Sequence, residues 1–168
     1  MMSKLSPQAT DYLFDSPIEC GLRLLYLLCN AAPKGSDLQR LVVYDYLLAH
    51  SSDVNGPPSL HPASPFRSGE LLVRRDILDN GLRLLLRKGL IEQFYSPDGI
   101  TFIPKETGKA FIRYLRSDYA QSCSRIATWI GSTFANQNGD QLQVFADQNL
   151  GRWGVEFANE AIFAGDIE

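Results

Sequence analysis

The chain has 168 residues with a formal net charge of −3, and hydrophobic residues make up 45% of it. This length and composition predict one domain with an appendage, or one large domain, with enough apolar residues for a full core. No run approaches 18 consecutive apolar residues, and the N-terminus lacks the pattern of a signal peptide. We therefore expect a cytoplasmic protein without a membrane span. The three cysteines are scattered along the chain, which suits a reducing compartment. We predict that they are buried and act as small hydrophobic side chains.

Charge is unevenly distributed along the chain. Residues 1–134 hold 15 Lys and Arg against 13 Asp and Glu, whereas residues 135–168 hold one Arg and six acids. Such asymmetry predicts separate contact surfaces. We predict a winged-helix-like helical domain over residues 1–134 and an acidic, aromatic-containing C-terminal tail over residues 135–168.

The first two helices carry clear start signals. Ser16 followed by Pro17 is typical of a helix N-terminus, and the apolar stripe behind it predicts a helix that is buried on most sides. Residues 33–35 should end this helix. Ser36 and Gln39 then predict a capping box for the second helix.

A proline-rich loop over residues 51–69 follows the second helix. Proline fixes φ and restricts its predecessor, so this loop should be stiff. A long loop in a compact domain usually carries function. Aromatic and arginine side chains dominate binding hot spots, so we predict that the loop binds a partner. The predicted anchors are Leu60, His61, Phe66 and Arg67.

The third predicted helix begins near Gly69, or forms two pieces that break at Asn80–Gly81, and it ends at Gly89. Its cations, which we expect on the exposed face, make it the best candidate for nucleic-acid binding. These cations are Arg74, Arg75, Arg83, Arg87 and Lys88.

Two alternating apolar runs around a Pro-Asp-Gly turn predict a β-hairpin over residues 90–103. Its side chains Phe94, Tyr95 and Ile100 either stack on a partner or, as we favour, pack on the next helix.

Thr107 is the predicted cap of one long helix that extends to residue 134. The tail beyond it is predicted to dock on its own body or on a partner, and Trp153 and Phe157 are its predicted anchors. The predicted fold class is mainly α with a small β-hairpin.

No nucleotide-binding, nucleophile-elbow or zinc-protease motif is present in the sequence. The densest polar group comprises Asp45, His50, Asp53 and His61 around the loop. A hydrolytic or metal site there would need a convergence that the spacing does not dictate. We favour a bracing role, in which Asp53 and His61 hydrogen-bond the loop backbone. We predict no catalytic residue, no metal and no cofactor.

The third helix and hairpin are typical of a recognition helix and wing, which would place arginines in the major groove of DNA. Asp76 and Asp79 interrupt the helix, however, and the chain as a whole is acidic. A dedicated DNA-binding domain usually has a basic face and a high pI. Contact with phosphates inside a larger complex is therefore favoured over independent sequence-specific recognition.

Three motifs in the middle of the chain resemble the middle component of bacterial ABC three-component systems, which include Lamassu-type anti-phage defence operons. They are HS-x-D at residues 50–53, SLHPASPFR at residues 59–67 and GELLVRR at residues 69–75. The resemblance extends over about residues 15–134.

This resemblance implies a small non-catalytic accessory subunit. Its partners would be an SMC-like ATPase and an effector, often a nuclease, which it would bridge. Contact with double-stranded DNA through the complex is also implied, without a membrane role. The alternative from the residues themselves is a stand-alone winged-helix DNA-binding transcription regulator.

Overall fold

The computed structural model describes residues 16–61 and 67–149, which form six α-helices and one antiparallel hairpin. In chain order the elements are α1 (Pro17–Asn30), α2 (Leu38–Ala49), a 3₁₀ turn (Ser51–Val54), α3 (Arg67–Arg87), β1 (Ile91–Ser96), β2 (Gly99–Pro104), α4 (Glu106–Arg113), α5 (Asp118–Phe134) and α6 (Gly139–Asn149). The prediction of a mainly helical chain with a small hairpin is confirmed. None of the helices in these two ranges is long and apolar enough to span a bilayer.

Helix α1 is the centre of the fold, because it contacts α2, α3, α4, α5 and β2. Its crossing with α3 is close, since a Cβ built on Gly81 would lie 3.1 Å from the backbone nitrogen of Gly21. The same Cβ would lie 3.2 Å from Sγ of Cys20. Asn80–Gly81 is therefore a packing point inside a continuous helix, and the predicted alternative of a break there is wrong.

The cap of α1 is confirmed, because the Ser16 side chain accepts a hydrogen bond from the Glu19 backbone N–H at 3.2 Å. The predicted cap of α2 is wrong by one residue. Asp37 accepts the Arg40 backbone N–H at 2.8 Å. Ser36 instead exchanges two backbone hydrogen bonds with Phe102 of β2, at 2.8 and 3.0 Å. This bridge holds Ser36 extended, which leaves the next residue to cap the helix.

Helix α3 ends at the predicted glycine. Gly89 has φ +68°, and its N–H donates to the Leu86 carbonyl at 3.1 Å while the Leu90 N–H donates to the Leu85 carbonyl at 3.0 Å. This pattern is a Schellman motif, which glycine accommodates because it has no Cβ. The hairpin that follows pairs Ile91 with residue 104 at its base and residue 96 with residue 99 at its tip.

The single long helix predicted after the hairpin is wrong, because the chain forms two helices, α4 and α5. Ser117 starts the second of these, since its side chain accepts the Ala120 backbone N–H at 3.1 Å. Thr107 lies inside α4, where its hydroxyl donates to the Gly89 carbonyl at 2.5 Å. A capping serine within the apolar pattern therefore starts a new helix.

Helix α6 lies within the segment predicted as a tail, and it packs on α2. Leu142 and Ala146 join the core, and a reciprocal pair of hydrogen bonds between Asn138 and Gln141 caps the helix start at 2.8 and 2.9 Å. This part of the segment docks on its own body, which was one of the two predicted alternatives. The boundary between residues 134 and 135 stays a prediction.

Candidate functional site

The predicted polar group around the loop is centred on a buried ion-pair cluster that joins three helices. Asp45 of α2 accepts hydrogen bonds from Arg23 of α1, at 2.8 Å from Nε to Oδ1 and 3.3 Å from Nη2 to Oδ2. Arg74 of α3 donates to the same Oδ2. Arg23 and Asp45 are fully buried and Arg74 is only 5% exposed. The cluster thus ties α1, α2 and α3 together at their common centre.

The electrostatics of the cluster keep its carboxylate charged. Burial alone would raise the pKa of Asp45, but the charges of Arg23 and Arg74 and their hydrogen bonds outweigh it and lower the pKa to about 2. Burial alone would lower the pKa of the Arg23 guanidinium. The charge of Asp45 and its hydrogen bond outweigh burial and raise this pKa well above its usual value. A carboxylate engaged in this way makes a poor proton acceptor for catalysis.

A ring of aromatic and polar groups surrounds the cluster. The Arg74 guanidinium lies over the Tyr46 ring, 5.9 Å from its centroid, and the Tyr46 and His50 rings are 4.9 Å apart. The Tyr46 hydroxyl donates to Oδ2 of Asp53 at 2.9 Å. Asp53 thus connects the 3₁₀ turn to α2 through a side chain. The predicted hydrogen bond between Asp53 and the loop backbone stays a prediction.

The described part of the loop, residues 51–61, is fixed by its own hydrogen bonds. The Ser51 hydroxyl donates to the Pro57 carbonyl at 2.7 Å, and the Ser59 hydroxyl accepts the Ser52 backbone N–H at 3.0 Å. Gly56 lies against Trp129 of α5, so closely that a Cβ there would come within 2.6 Å of the indole ring. The prolines predict a stiff loop, and internal hydrogen bonds and packing hold this described part of it in place.

Two of the predicted loop anchors can be located. Leu60 is partly buried and packs against the core. The backbone N–H of His61 donates to the Ala49 carbonyl at 3.0 Å, and its ring is partly buried. Arg67 is the first residue of α3, but its side chain is not among those that the structure describes. Phe66, Trp153 and Phe157 lie outside the described residues, so their predicted binding role stays a prediction.

His61 should make folding sensitive to acid. Burial lowers the pKa of the His61 imidazole to about 4, and the nearby charges of Arg23, Arg74 and His50 act in the same direction, opposed by Asp45. Because the unfolded chain takes up this proton near pH 6.5 and the folded chain only near pH 4, the stabilising contribution exists above pH 6.5 and is lost as the pH falls.

We expect His61→Gln to flatten the pH dependence of unfolding between pH 6.5 and 4. The difference from the wild type should be on the order of 1 kcal/mol after solvent screening of a partly exposed ring. Urea unfolding at half-unit pH intervals measures it. Parallel pH profiles for the two proteins would contradict the assignment.

Four of the five predicted nucleic-acid-binding cations lie on the surface, three on α3 and Lys88 directly after its end. Arg75, Arg83, Arg87 and Lys88 are exposed, and Arg83 pairs with Asp79 at 2.9 Å. The expectation that Arg74 is exposed is wrong, because its guanidinium is drawn into the core by Asp45. An arginine in this position holds α3 to α2 and cannot reach a phosphate without breaking the cluster.

The hairpin tip projects from the body. Phe94, Tyr95 and Ile100 are 49%, 74% and 40% exposed. The favoured prediction that they pack on the following helix is therefore wrong. The pairing register explains this, because Tyr95 and Ile100 pair next to the turn, whereas the buried residues Ile91 and Phe102 lie nearer the base of the hairpin.

The cysteines behave as apolar groups. Burial raises the pKa of Cys29 to about 11 and that of Cys123 to about 12, so both thiols are protonated at neutral pH. In the two described ranges, no group of three or more His, Cys, Asp or Glu side chains is arranged to hold a metal ion.

The structure also identifies a residue that the sequence reasoning missed. Arg23 interrupts an otherwise apolar helix, in the run GLRLLYLL, and Asp45 interrupts the apolar run VVYDYLL. A charged residue inside a helix that is apolar on all sides is rarely buried without a partner. The sequence therefore indicated a buried ion pair, because the two charged residues that interrupt these apolar runs have opposite charges.

The fold and its buried cluster define a small, mainly helical protein whose densest polar group joins three helices. Residues 13–156 match the family model of the ABC-three component (ABC-3C) system Middle Component 2. The chain belongs to this family, and it is therefore an accessory component of a multi-subunit system. The match extends past residue 134, where the predicted resemblance ended. No curated protein and no solved structure matches the chain.

Proposed function

We propose that this protein is a non-catalytic bridging subunit that links an SMC-like ATPase to an effector, often a nuclease, in a Lamassu-type anti-phage defence complex of the cytoplasm. The observation that carries the proposal is membership of a middle-component family over residues 13–156. A middle component acts through the subunits on either side of it, so its surfaces should serve binding. The buried cluster supports a non-catalytic role, because Asp45 is already held by two arginines.

The order of elements supports a winged-helix arrangement. The hairpin follows α3 directly, as the predicted wing follows the recognition helix. The bridge between Ser36 and Phe102 ties this hairpin to the segment between α1 and α2. The exposed cations of α3 would then contact DNA phosphates when the complex assembles on a duplex. Asp76 and Asp79 on the same helix limit how tightly the free chain would bind.

Co-expression with the products of the two adjacent genes tests the bridging proposal. We expect the tagged chain to co-purify with an ATPase and an effector, and to retain both after nuclease treatment and at physiological salt. Retention after nuclease treatment separates protein contacts from bridging by DNA. A chain that remains monomeric and retains neither neighbour would overturn the proposal.

The second candidate function is a stand-alone DNA-binding regulator, which the exposed Arg75 and Arg83 favour. In that case the free chain should shift its own promoter at physiological salt, and Arg75→Glu with Arg83→Glu should abolish the shift. If the bridging proposal holds, the free chain gives little shift and the double variant still co-purifies with its neighbours. A gel-shift titration at two salt concentrations distinguishes the two functions.

A further inference from the structure

A groove lies on the side of the molecule formed by α1, α4 and α5, and we call it the α4 groove. It is open to solvent, with a volume of about 400 Å³. Its floor and rim combine apolar side chains with two cations, namely Tyr26, Cys29, Ile112, Leu115, Lys109 and Arg113. None of the described residues that line it belongs to the polar cluster at the centre of α1, α2 and α3.

The charged side chains that line the α4 groove are cations. Among the described residues that line it, Lys109 and Arg113 carry charge and none is a carboxylate. Burial raises the pKa of the Cys29 thiol on the floor, the charges of Lys109 and Arg113 lower it, and the weaker effect of Glu106 raises it. Glu106 pairs with Lys109 at 3.0 Å, but this pair lies on the surface. Surface pairs of this kind contribute little, so a partner carboxylate can displace Glu106.

The walls of the groove are fixed in place. Nδ2 of Asn30 donates to the Ser124 hydroxyl at 3.3 Å, which joins α1 to α5 at the groove. On the other wall Gly108 brings α4 so near to the hairpin that a Cβ there would lie 2.3 Å from the Leu90 carbonyl oxygen. A preformed groove of this kind loses little conformational entropy when it is filled.

We propose that the α4 groove binds an acidic segment of a partner subunit, which places apolar side chains on the floor and a carboxylate between Lys109 and Arg113. This inference rests on the proposed bridging function and names the surface that one partner uses. A protein segment fits better than a duplex, because the groove is concave and its lining mixes apolar side chains with polar and cationic ones. Two lining cations are also few compared with the roughly 6–10 phosphate contacts of many DNA-binding proteins.

The test measures the affinity of the full-length chain for the separately purified products of the adjacent genes, in nuclease-treated samples. We expect Lys109→Glu with Arg113→Glu to weaken binding of one neighbour by about tenfold or more and to reduce its salt dependence. Lys109→Gln with Arg113→Gln should produce a smaller loss in the same direction. The matched control is Lys34→Glu with Arg125→Glu, which makes the same charge change at two exposed cations outside the groove lining and should alter affinity by no more than about twofold.

The outcomes separate this inference from the proposed function. If the wild-type chain binds a neighbour and both groove variants bind it equally well, the groove assignment is wrong and the bridging role stands. If the wild-type chain binds neither neighbour, both fail. A free-chain dimer that the groove variants dissociate would place a second copy in the groove. Cross-linking of residues 150–168 to Lys109 in the free chain would place its own acidic segment there, and either result overturns the proposal.

Discussion

Asp45→Asn should destabilise the folded chain by about 3–5 kcal/mol, because it removes the only charge that Arg23 and Arg74 share within the described cluster while leaving both guanidinium groups buried. Asparagine keeps the volume of aspartate, so the loss reports charge and hydrogen bonding and not a cavity. Urea unfolding at pH 7 measures it. The corresponding fall in melting temperature should be roughly 6–20 °C for a chain of this size.

The matched control for Asp45→Asn is Asp76→Asn, which makes the same chemical change at an exposed position of α3. Surface substitutions of this kind usually alter stability by about 0.5 kcal/mol or less. Adding Arg23→Met to Asp45→Asn should recover part of the loss, because one buried charge is removed with its partner. An Asp45→Asn protein within about 1 kcal/mol of the wild type would contradict the central role of the cluster.

Local signals in the sequence were sufficient to predict several features of the fold. The cap at Ser16 and the stop at Gly89 depend on side chains and backbone angles within one helical turn. The hairpin turn at residues 96–99 likewise needs only a proline, an aspartate and a glycine in the correct order. Each of these features is decided by neighbouring residues, and each was predicted correctly.

Two of the failures involve partners that are distant in the sequence. Arg74 was placed on the surface because arginine is usually exposed, but Asp45, 29 residues away, holds it in the core. Ser36 had the sequence pattern of a helix cap, but its backbone pairs with Phe102. Periodicity cannot indicate such contacts, because they depend on how helices and strands pack in three dimensions.

The α4 groove also could not be predicted from the sequence. Lys109, Ile112 and Arg113 come from one short helix, while Tyr26 and Ser124 come from α1 and α5. The groove exists because the expected long helix divides at residues 114–117, which lets α4 diverge from α5. Four of the six residues predicted to bind a partner lie on the proline-rich loop, and two, Trp153 and Phe157, lie in the tail. The two loop anchors whose side chains are described, Leu60 and His61, are partly buried.

Gly108→Ala should be the most damaging single-methyl substitution in the described part of the chain. The added Cβ would lie 2.3 Å from the Leu90 carbonyl oxygen and 2.9 Å from Cδ1 of Leu25. The first contact is with backbone, so α4 must shift as a whole. Alanine would otherwise favour the helix by up to about 1 kcal/mol, so a net destabilisation of about 1–3 kcal/mol or more shows that overpacking dominates.

Gly139→Ala is the matched control for Gly108→Ala, because it also lies in a helix but a Cβ there meets nothing within 4 Å. It should leave the free energy of unfolding unchanged or raise it slightly. Equal stability of the two variants would show that α4 is not held against the hairpin by close contact. Since α4 carries Lys109 and Arg113, its displacement in Gly108→Ala should also weaken binding at the α4 groove under conditions where the chain is still folded.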